Sequence, residues 1–136
     1  ASCFLDTNIL VYSVDEKDKA KQHTARDLIA TLVQNDDAII STQTLQEFYN
    51  AATKKLIASK KDAGTFVKQF SDIIPVHSNT VNDVLAAIDI SEASQLSFWD
   101  SLILASAKAC GCTTVHSEDL NDGQTINGVK VVNPFK

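Results

Sequence analysis

The chain has 136 residues, 44% hydrophobic and 21% charged, the composition of one ordinary globular domain spanning residues 1–136. Twelve Lys and Arg stand against 17 Asp and Glu, and the net charge of −5 excludes a protein that holds nucleic acid by bulk basicity, though not a nuclease whose site collects carboxylates. No stretch reaches the roughly 18 apolar residues of a membrane span and no basic-then-apolar leader opens the chain, so neither a membrane partner nor secretion is expected.

Short apolar runs alternate with amphipathic stretches along the chain. Residues 2–5 form a strand candidate and residues 8–14 a short helix. Residues 18–33 carry Ala25, Leu28, Ile29 and Leu32 at helical spacing. Ala38–Ser41 is a second strand, followed by a helix over about residues 44–58. Residues 62–72 put Ala63, Phe66, Val67 and Phe70 on one helical face. Residues 73–76 read as a brief strand, and Val81, Val84, Leu85 and Ile88 mark another helix. Residues 98–110 form a strong helix, with Ser97 as N-cap and Gly111 as its stop. Strands at residues 113–116 and Val129–Val132 close the chain. Strands separated by helices imply an α/β fold with right-handed crossovers and a parallel sheet. Ligands of such sheets bind beyond the carboxyl ends of the strands.

Cys3, Cys110 and Cys112 lack the four-ligand spacing of a zinc site, and His23, His77 and His116 are isolated; the cysteines read as core residues of a cytoplasmic protein. The acids are more informative. Asp6 follows the first strand, where it also suits a helix N-cap. Glu47 sits in Thr44-Leu45-Gln46-Glu47, which also reads as a capping box. Asp100, in Ser97-Phe98-Trp99-Asp100, suits the same role or the helix dipole. Asp119 follows the strand at residues 113–116 and also reads as a loop acid. Each has a plain structural explanation, but two acids follow parallel strands and two begin helices at the same sheet edge. Two carboxylates about 4 Å apart repel by roughly 4 kcal/mol at an effective dielectric near 20. A cluster of this kind persists when a hard cation binds, and oxygen-only ligands suit Mg²⁺ or Mn²⁺. Those ions act on phosphate esters through metal-activated water.

Phe4-Leu5-Asp6-Thr7-Asn8, Leu45-Gln46-Glu47-Phe48, Phe98-Trp99-Asp100-Ser101-Leu102-Ile103 and Ser117-Glu118-Asp119-Leu120, in that order, resemble the PIN domain family. Gly123 and Val131-Val132-Asn133-Pro134-Phe135 resemble its VapC-type branch. The resemblance implies a three-layer α/β/α fold with a central, mostly parallel sheet. It implies a Mg²⁺- or Mn²⁺-dependent endoribonuclease, the toxin of a VapBC-type toxin–antitoxin system, leaving 5′-phosphate and 3′-hydroxyl ends. By the same resemblance Asp6, Glu47, Asp100 and Asp119 form the acidic, metal-binding quartet, and Asn8 and Ser117 support it. RNA as substrate, a cognate antitoxin and a homodimer are the partners it implies. Glu118, beside Asp119, leaves open which acid turns inward, and the spacing from Ser117 favours Asp119. Lys54, Lys55, Lys60 and Lys61 are candidates for contact with RNA phosphates or simply a solvated helix end.

Three other functions bear on the same residues. An aspartyl-phosphoryl enzyme needs a second acid two residues after Asp6, where Asn8 stands. A PIN fold used only to bind RNA or protein has no need of an intact quartet. A DNA-cutting nuclease of the same fold is the remaining alternative.

Overall fold

Phe4 and Leu5 are adjacent in a strand, so their side chains leave opposite faces, and both are fully buried. A sheet built on such a strand needs cover on both sides. The computed structural model describes residues 2–136. The elements in chain order are β1 (Cys3–Leu5), α1 (Thr7–Val14), α2 (Lys19–Gln34), β2 (Ala38–Ser41), α3 (Thr42–Lys54) and α4 (Lys60–Ile73). They continue with β3 (Val76–His77), α5 (Val81–Ser94), α6 (Phe98–Ala109), β4 (Thr114–His116), β5 (Thr125–Ile126) and β6 (Val129–Val132).

The sheet order is β3-β2-β1-β4-β6-β5, parallel throughout except for β5, which runs antiparallel to β6. Helices cover both faces, giving the three-layer α/β/α architecture. Leu5 and Ile40 face α1 to α4, where Ile9, Leu10, Ile29, Phe48 and Phe70 fill the layer. Phe48 is fully buried and meets Phe70 edge-on at 5.1 Å and Phe66 at 6.4 Å. Phe4, Val115, Val129 and Val131 face the other layer, made by α5 and α6 with Ala87, Ile90, Ile103 and Leu104. Cys112 is buried in that second layer, whereas Cys3 and Cys110 are half-buried at the edges of the two cores. Among the described residues no helix is long and apolar enough to cross a membrane.

Two expectations need correction. The helix after β2 begins at Thr42 and ends at Lys54, not at residue 58. Its N-cap is Ser41, whose hydroxyl and backbone form a capping box with Thr44. Thr44 is therefore the box partner rather than the cap, and Glu47 has no capping duty. The run at residues 73–76 is mostly not strand: Ile73 ends α4, and only Val76 pairs, with Ile40.

The helix marked by Val81, Val84, Leu85 and Ile88 is α5. Val81, Val84, Leu85 and Ile88 lie on its outer side, at 75%, 37%, 55% and 40% exposure. The buried face is instead Asp83, Ala87 and Ile90. Asp83 is drawn inward by the Thr80 capping box and by His77, whose Nε2 lies 2.7 Å from its carboxylate. These bonds and the His77 charge outweigh the cost of its burial and hold its carboxyl below the usual range.

Strand β5 was not expected. Asn127 and Gly128 join it to β6 with φ of 54° and 81°, and two successive left-handed residues make the tight hairpin turn that Asn-Gly favours.

Candidate functional site

The chain crosses from β1 to β2 and β3 on one side of the sheet, and β4 and β6 lie on the other side of β1. The strand order therefore reverses between β1 and β4, where the connections diverge and a cleft opens. Leu5 and His116 are register partners at the carboxyl ends of those two strands. The residues that follow them are Asp6 and Ser117, and the Asp6 N–H donates to the His116 carbonyl at 3.0 Å. Parallel pairing thus brings together groups 111 positions apart in the chain.

Asp6 is 5% exposed and is the N-cap of α1. The Thr7 N–H donates to its Oδ1 at 2.7 Å, and the Ser117 hydroxyl donates to its Oδ2 at 2.7 Å. The cap reading of Asp6 is therefore correct, and it leaves the carboxylate lining the cleft. Burial pushes the Asp6 carboxyl up to about 6 against the opposing effect of the Ser117 and Thr7 hydrogen bonds, with the charges of Asp119 and Glu47 adding to the rise.

Asn8 joins the two loops. Its Nδ2 donates to Asp119 Oδ2 at 3.1 Å and lies 3.4 Å from both Asp6 Oδ2 and Ser117 Oγ. Its Oδ1 accepts the Glu118 N–H at 3.2 Å. Ser117, fully buried, also accepts the Asp119 N–H at 3.1 Å. Asn8 and Ser117 are thus hydrogen-bonded to the acids beside them, Asn8 to Asp119 and Asp6 and Ser117 to Asp6.

Glu47 projects from α3 toward α1, and its Oε1 accepts the Thr7 hydroxyl at 2.8 Å. Thr7 was not singled out as a site residue; its place between Asp6 and Asn8 was the available signal. Asp100 lies in the first turn of α6, where the Ser97 hydroxyl accepts its N–H at 3.1 Å. Burial raises the Asp100 carboxyl above the usual range, the Ser97 hydrogen bond opposes this, and the Asp119 charge adds to it. The four acids line one cleft of about 510 Å³, together with Asn8, Tyr12, Asn50 and Lys55.

Glu118 lines the same cleft, but its carboxylate is already engaged. Its carboxylate takes the Tyr12 hydroxyl at 2.6 Å and Lys21 Nζ at 2.5 Å. Lys21 also lies over the Tyr12 and Phe135 rings, at 4.8 and 5.6 Å from their centres. Its hydrogen bonds and ion pair outweigh the cost of burial and hold the Glu118 carboxyl below the usual range. Asp119, by contrast, has no ion pair among the described residues and is tied by Asn8 to the frame that holds Asp6.

Among the described residues no ion pair reaches Asp6, Glu47, Asp100 or Asp119. Repulsion among these four is thus not offset by a direct ion pair, and Lys55 is the cation that lines the cleft with them. Among the same residues no three His, Cys, Asp or Glu side chains converge as direct ligands of one metal ion. The oxygen-only donor set nevertheless suits a hard cation. Mg²⁺ takes one or two carboxylates directly and keeps several of its waters, so acids spread around a cleft match it without a closed cage.

The model of the PIN domain family matches residues 3–121. No protein in a search of curated proteins matches the sequence. Among solved structures, the chain is similar to VapBC2 from Rickettsia felis, solved bound to a DNA fragment from their promoter. That match has a TM-score of 0.72 and 18% identity, covering 96% of this chain and 97% of the other. It is similar to VapC20 of Mycobacterium tuberculosis, a toxin that cleaves the sarcin–ricin loop, at a TM-score of 0.72 and 18% identity over 87% of this chain and 90% of that one. DNA-bound VapBC from Salmonella typhimurium matches at a TM-score of 0.71 and 20% identity, with 96% of each chain covered. At such identities these likenesses establish the fold.

Proposed function

The chain belongs to the PIN domain family, and from that premise we propose that it is a divalent-metal-dependent endoribonuclease, the toxin of a toxin–antitoxin pair. The observation that carries this reading is the acidic cleft at the strand-order reversal, lined by Asp6, Glu47, Asp100 and Asp119, none of which is ion-paired among the described residues. These four would hold Mg²⁺ or Mn²⁺, directly or through water. When bound, the ion activates water and offsets charge on the phosphate and the leaving oxygen.

The chain's own groups set that chemistry up. Thr7 N–H and the Ser117 hydroxyl fix both oxygens of Asp6. Asn8 ties Asp119 to the same frame, and the Thr7 hydroxyl orients Glu47. Such supporting partners hold carboxylates in one rotamer before an ion arrives, so less ordering is left to bind it. Of the lysines at the α3–α4 junction, Lys55 lines the cleft and is the one placed to meet a substrate phosphate.

The direct test is digestion of end-labelled RNA and single-stranded DNA side by side, in Mn²⁺, Mg²⁺ or EDTA. RNA is expected to be cut with either ion and left whole in EDTA. RNA left intact in Mn²⁺ overturns the reading, and cutting of DNA alone replaces it with a deoxyribonuclease of the same fold.

The solved neighbours include toxin–antitoxin complexes, which supports a protein inhibitor here. We expect that inhibitor to place an Arg or Lys into the cleft, because a guanidinium pairs two carboxylate oxygens at once and substitutes for the metal charge. Titration with the co-encoded partner should then show binding weakened several-fold by millimolar Mn²⁺ and by Asp6→Asn. Equally tight binding in all three conditions means the partner acts elsewhere, by covering the RNA path.

A further inference from the structure

Trp99 is 59% exposed, although α6 is buried from Ser101 to Ala107 immediately after it. Its backbone is held on both sides. The first turn of α6 carries it, and Gln43, itself buried, donates from Nε2 to the Trp99 carbonyl at 3.0 Å. Phe98 packs edge-on against the ring at 5.1 Å. The indole is therefore a rigid plate with an open surface.

That plate borders a shallow groove lined by Gln43, Gln46, Glu47, Asn50 and Trp99. Glu47 and Asn50 also line the acidic cleft, so the groove and the cleft are continuous. Lys55 lines the far part of the cleft and has no ion pair among the described residues. Between the two ends, the exposed amides of Gln46 and Asn50 make no side-chain hydrogen bond among the described residues. Aromatic face, free amides and a terminal cation, in that order, are the groups that take an unpaired base, its polar edge and a backbone phosphate. An apolar protein side chain would find amides and a carboxylate beside Trp99 instead of apolar walls.

Resting on the ribonuclease reading above, we propose that Trp99 is a stacking platform for one unpaired base of single-stranded RNA, whose backbone passes Asn50 toward Lys55. Stacking beside Asp100 sets the register in which the strand crosses the carboxylates. Trp99 is thus a substrate-positioning residue, and it selects unpaired RNA because a base inside a duplex has no free face to offer.

The chain has one tryptophan, so its emission reports on Trp99 alone. In an Asp119→Asn background with Mn²⁺, the full chain is titrated with a labelled single-stranded RNA oligonucleotide and with an abasic ribose-phosphate strand of the same length. RNA is expected to quench the emission, and the abasic strand to leave it unchanged. By anisotropy, Trp99→Ala should bind RNA about tenfold more weakly, with Trp99→Phe recovering most of the loss. Lys55→Ala should weaken both strands alike and reduce the salt slope by about 0.7. With Asp119 restored, Trp99→Ala should raise KM with little change in kcat.

Bound RNA that leaves the emission unchanged, or equal quenching by the abasic strand, overturns the stacking role. So does Trp99→Ala binding as tightly as the parent, or quenching that grows with protein concentration alone, which would mean a second copy covers the indole. Each of these leaves the ribonuclease reading standing, because RNA cutting by the parent chain is scored separately. Failure of the parent both to bind and to cut RNA overturns the two together.

Discussion

Asp100→Asn is expected to lower RNA cleavage at least a hundredfold while leaving the melting temperature within a few degrees of the parent. The fold-change is that of removing one charge from an electrostatically organised site, about 10² to 10³. The fold should survive because the hydrogen bond to the Ser97 hydroxyl is made by the Asp100 backbone N–H, which Asn keeps. Its side chain is half-buried and faces the Asp119 charge, and burial raises its carboxyl above the usual range. Removing that charge relieves the metal-free protein. A purely local role at the α6 N-terminus predicts the reverse pairing. Activity would stay at the parent level, and stability would fall by the 0.3–1 kcal/mol of a lost dipole interaction. Asp89→Asn, an exposed acid on α5 outside the cleft, is the control and should cut RNA as the parent does. Parent-like cleavage by Asp100→Asn would reduce Asp100 to a helix-end acid.

The four acids were legible because three of them stand beside short, ordered sequence signals. Asp6 ends an apolar strand, Asp100 follows a Ser N-cap, and Asp119 follows Ser117 after another strand. Parallel pairing of β1 with β4 then does the rest, and such pairing follows from alternating strands and helices. Glu47 was identified by its motif while its local explanation was misjudged. The cap lay three residues earlier than Thr44, at Ser41, and a capping pattern read from spacing does not say which of two hydroxyl residues starts the helix.

The helix α5 was legible, but which of its faces is buried was not. Val81, Val84, Leu85 and Ile88 keep helical spacing, but so do Asp83, Ala87 and Ile90. Periodicity finds both stripes, and the buried one is chosen by a tertiary bond from His77 to Asp83. The partners of Glu118 were hidden for the same reason. Tyr12 and Lys21, 106 and 97 positions away, take its carboxylate, and no local pattern signals a contact of that range. The β5–β6 hairpin, by contrast, was announced by Asn127-Gly128 and could have been read from it.

In the absence of metal, Asp6 is expected to cost the parent stability as pH rises from about 4 to about 6, a contribution that Asp6→Asn lacks. The Asp6 carboxyl is raised from 3.8 to about 6 in the folded chain, chiefly by burial. Between those values the native state holds a proton that the unfolded state has released. The unfolded state binds fewer protons, so unfolding free energy falls with rising pH and levels off above about 6. A shift from 3.8 to about 6 corresponds to about 3 kcal/mol. Asp100, also raised, adds a slope of the same sign. His116 opposes both, because burial lowers its pKa and its charging on acidification destabilises the fold. Asp83 and Glu118, both lowered, oppose as well, since their contribution is lost as pH falls through the acid range. The difference between parent and Asp6→Asn cancels these shared slopes and isolates Asp6. Asn still accepts the Thr7 N–H at the helix start, so the cap is largely kept. Urea unfolding at pH 4.5 and 7.5, with and without Mn²⁺, makes the measurement. At pH 7.5 Mn²⁺ at 100 times its dissociation constant should restore about 2.7 kcal/mol to the parent, and far less to Asp6→Asn. A variant less stable than the parent at pH 7.5 without metal, or a parent indifferent to Mn²⁺ there, would make Asp6 a helix cap and nothing more.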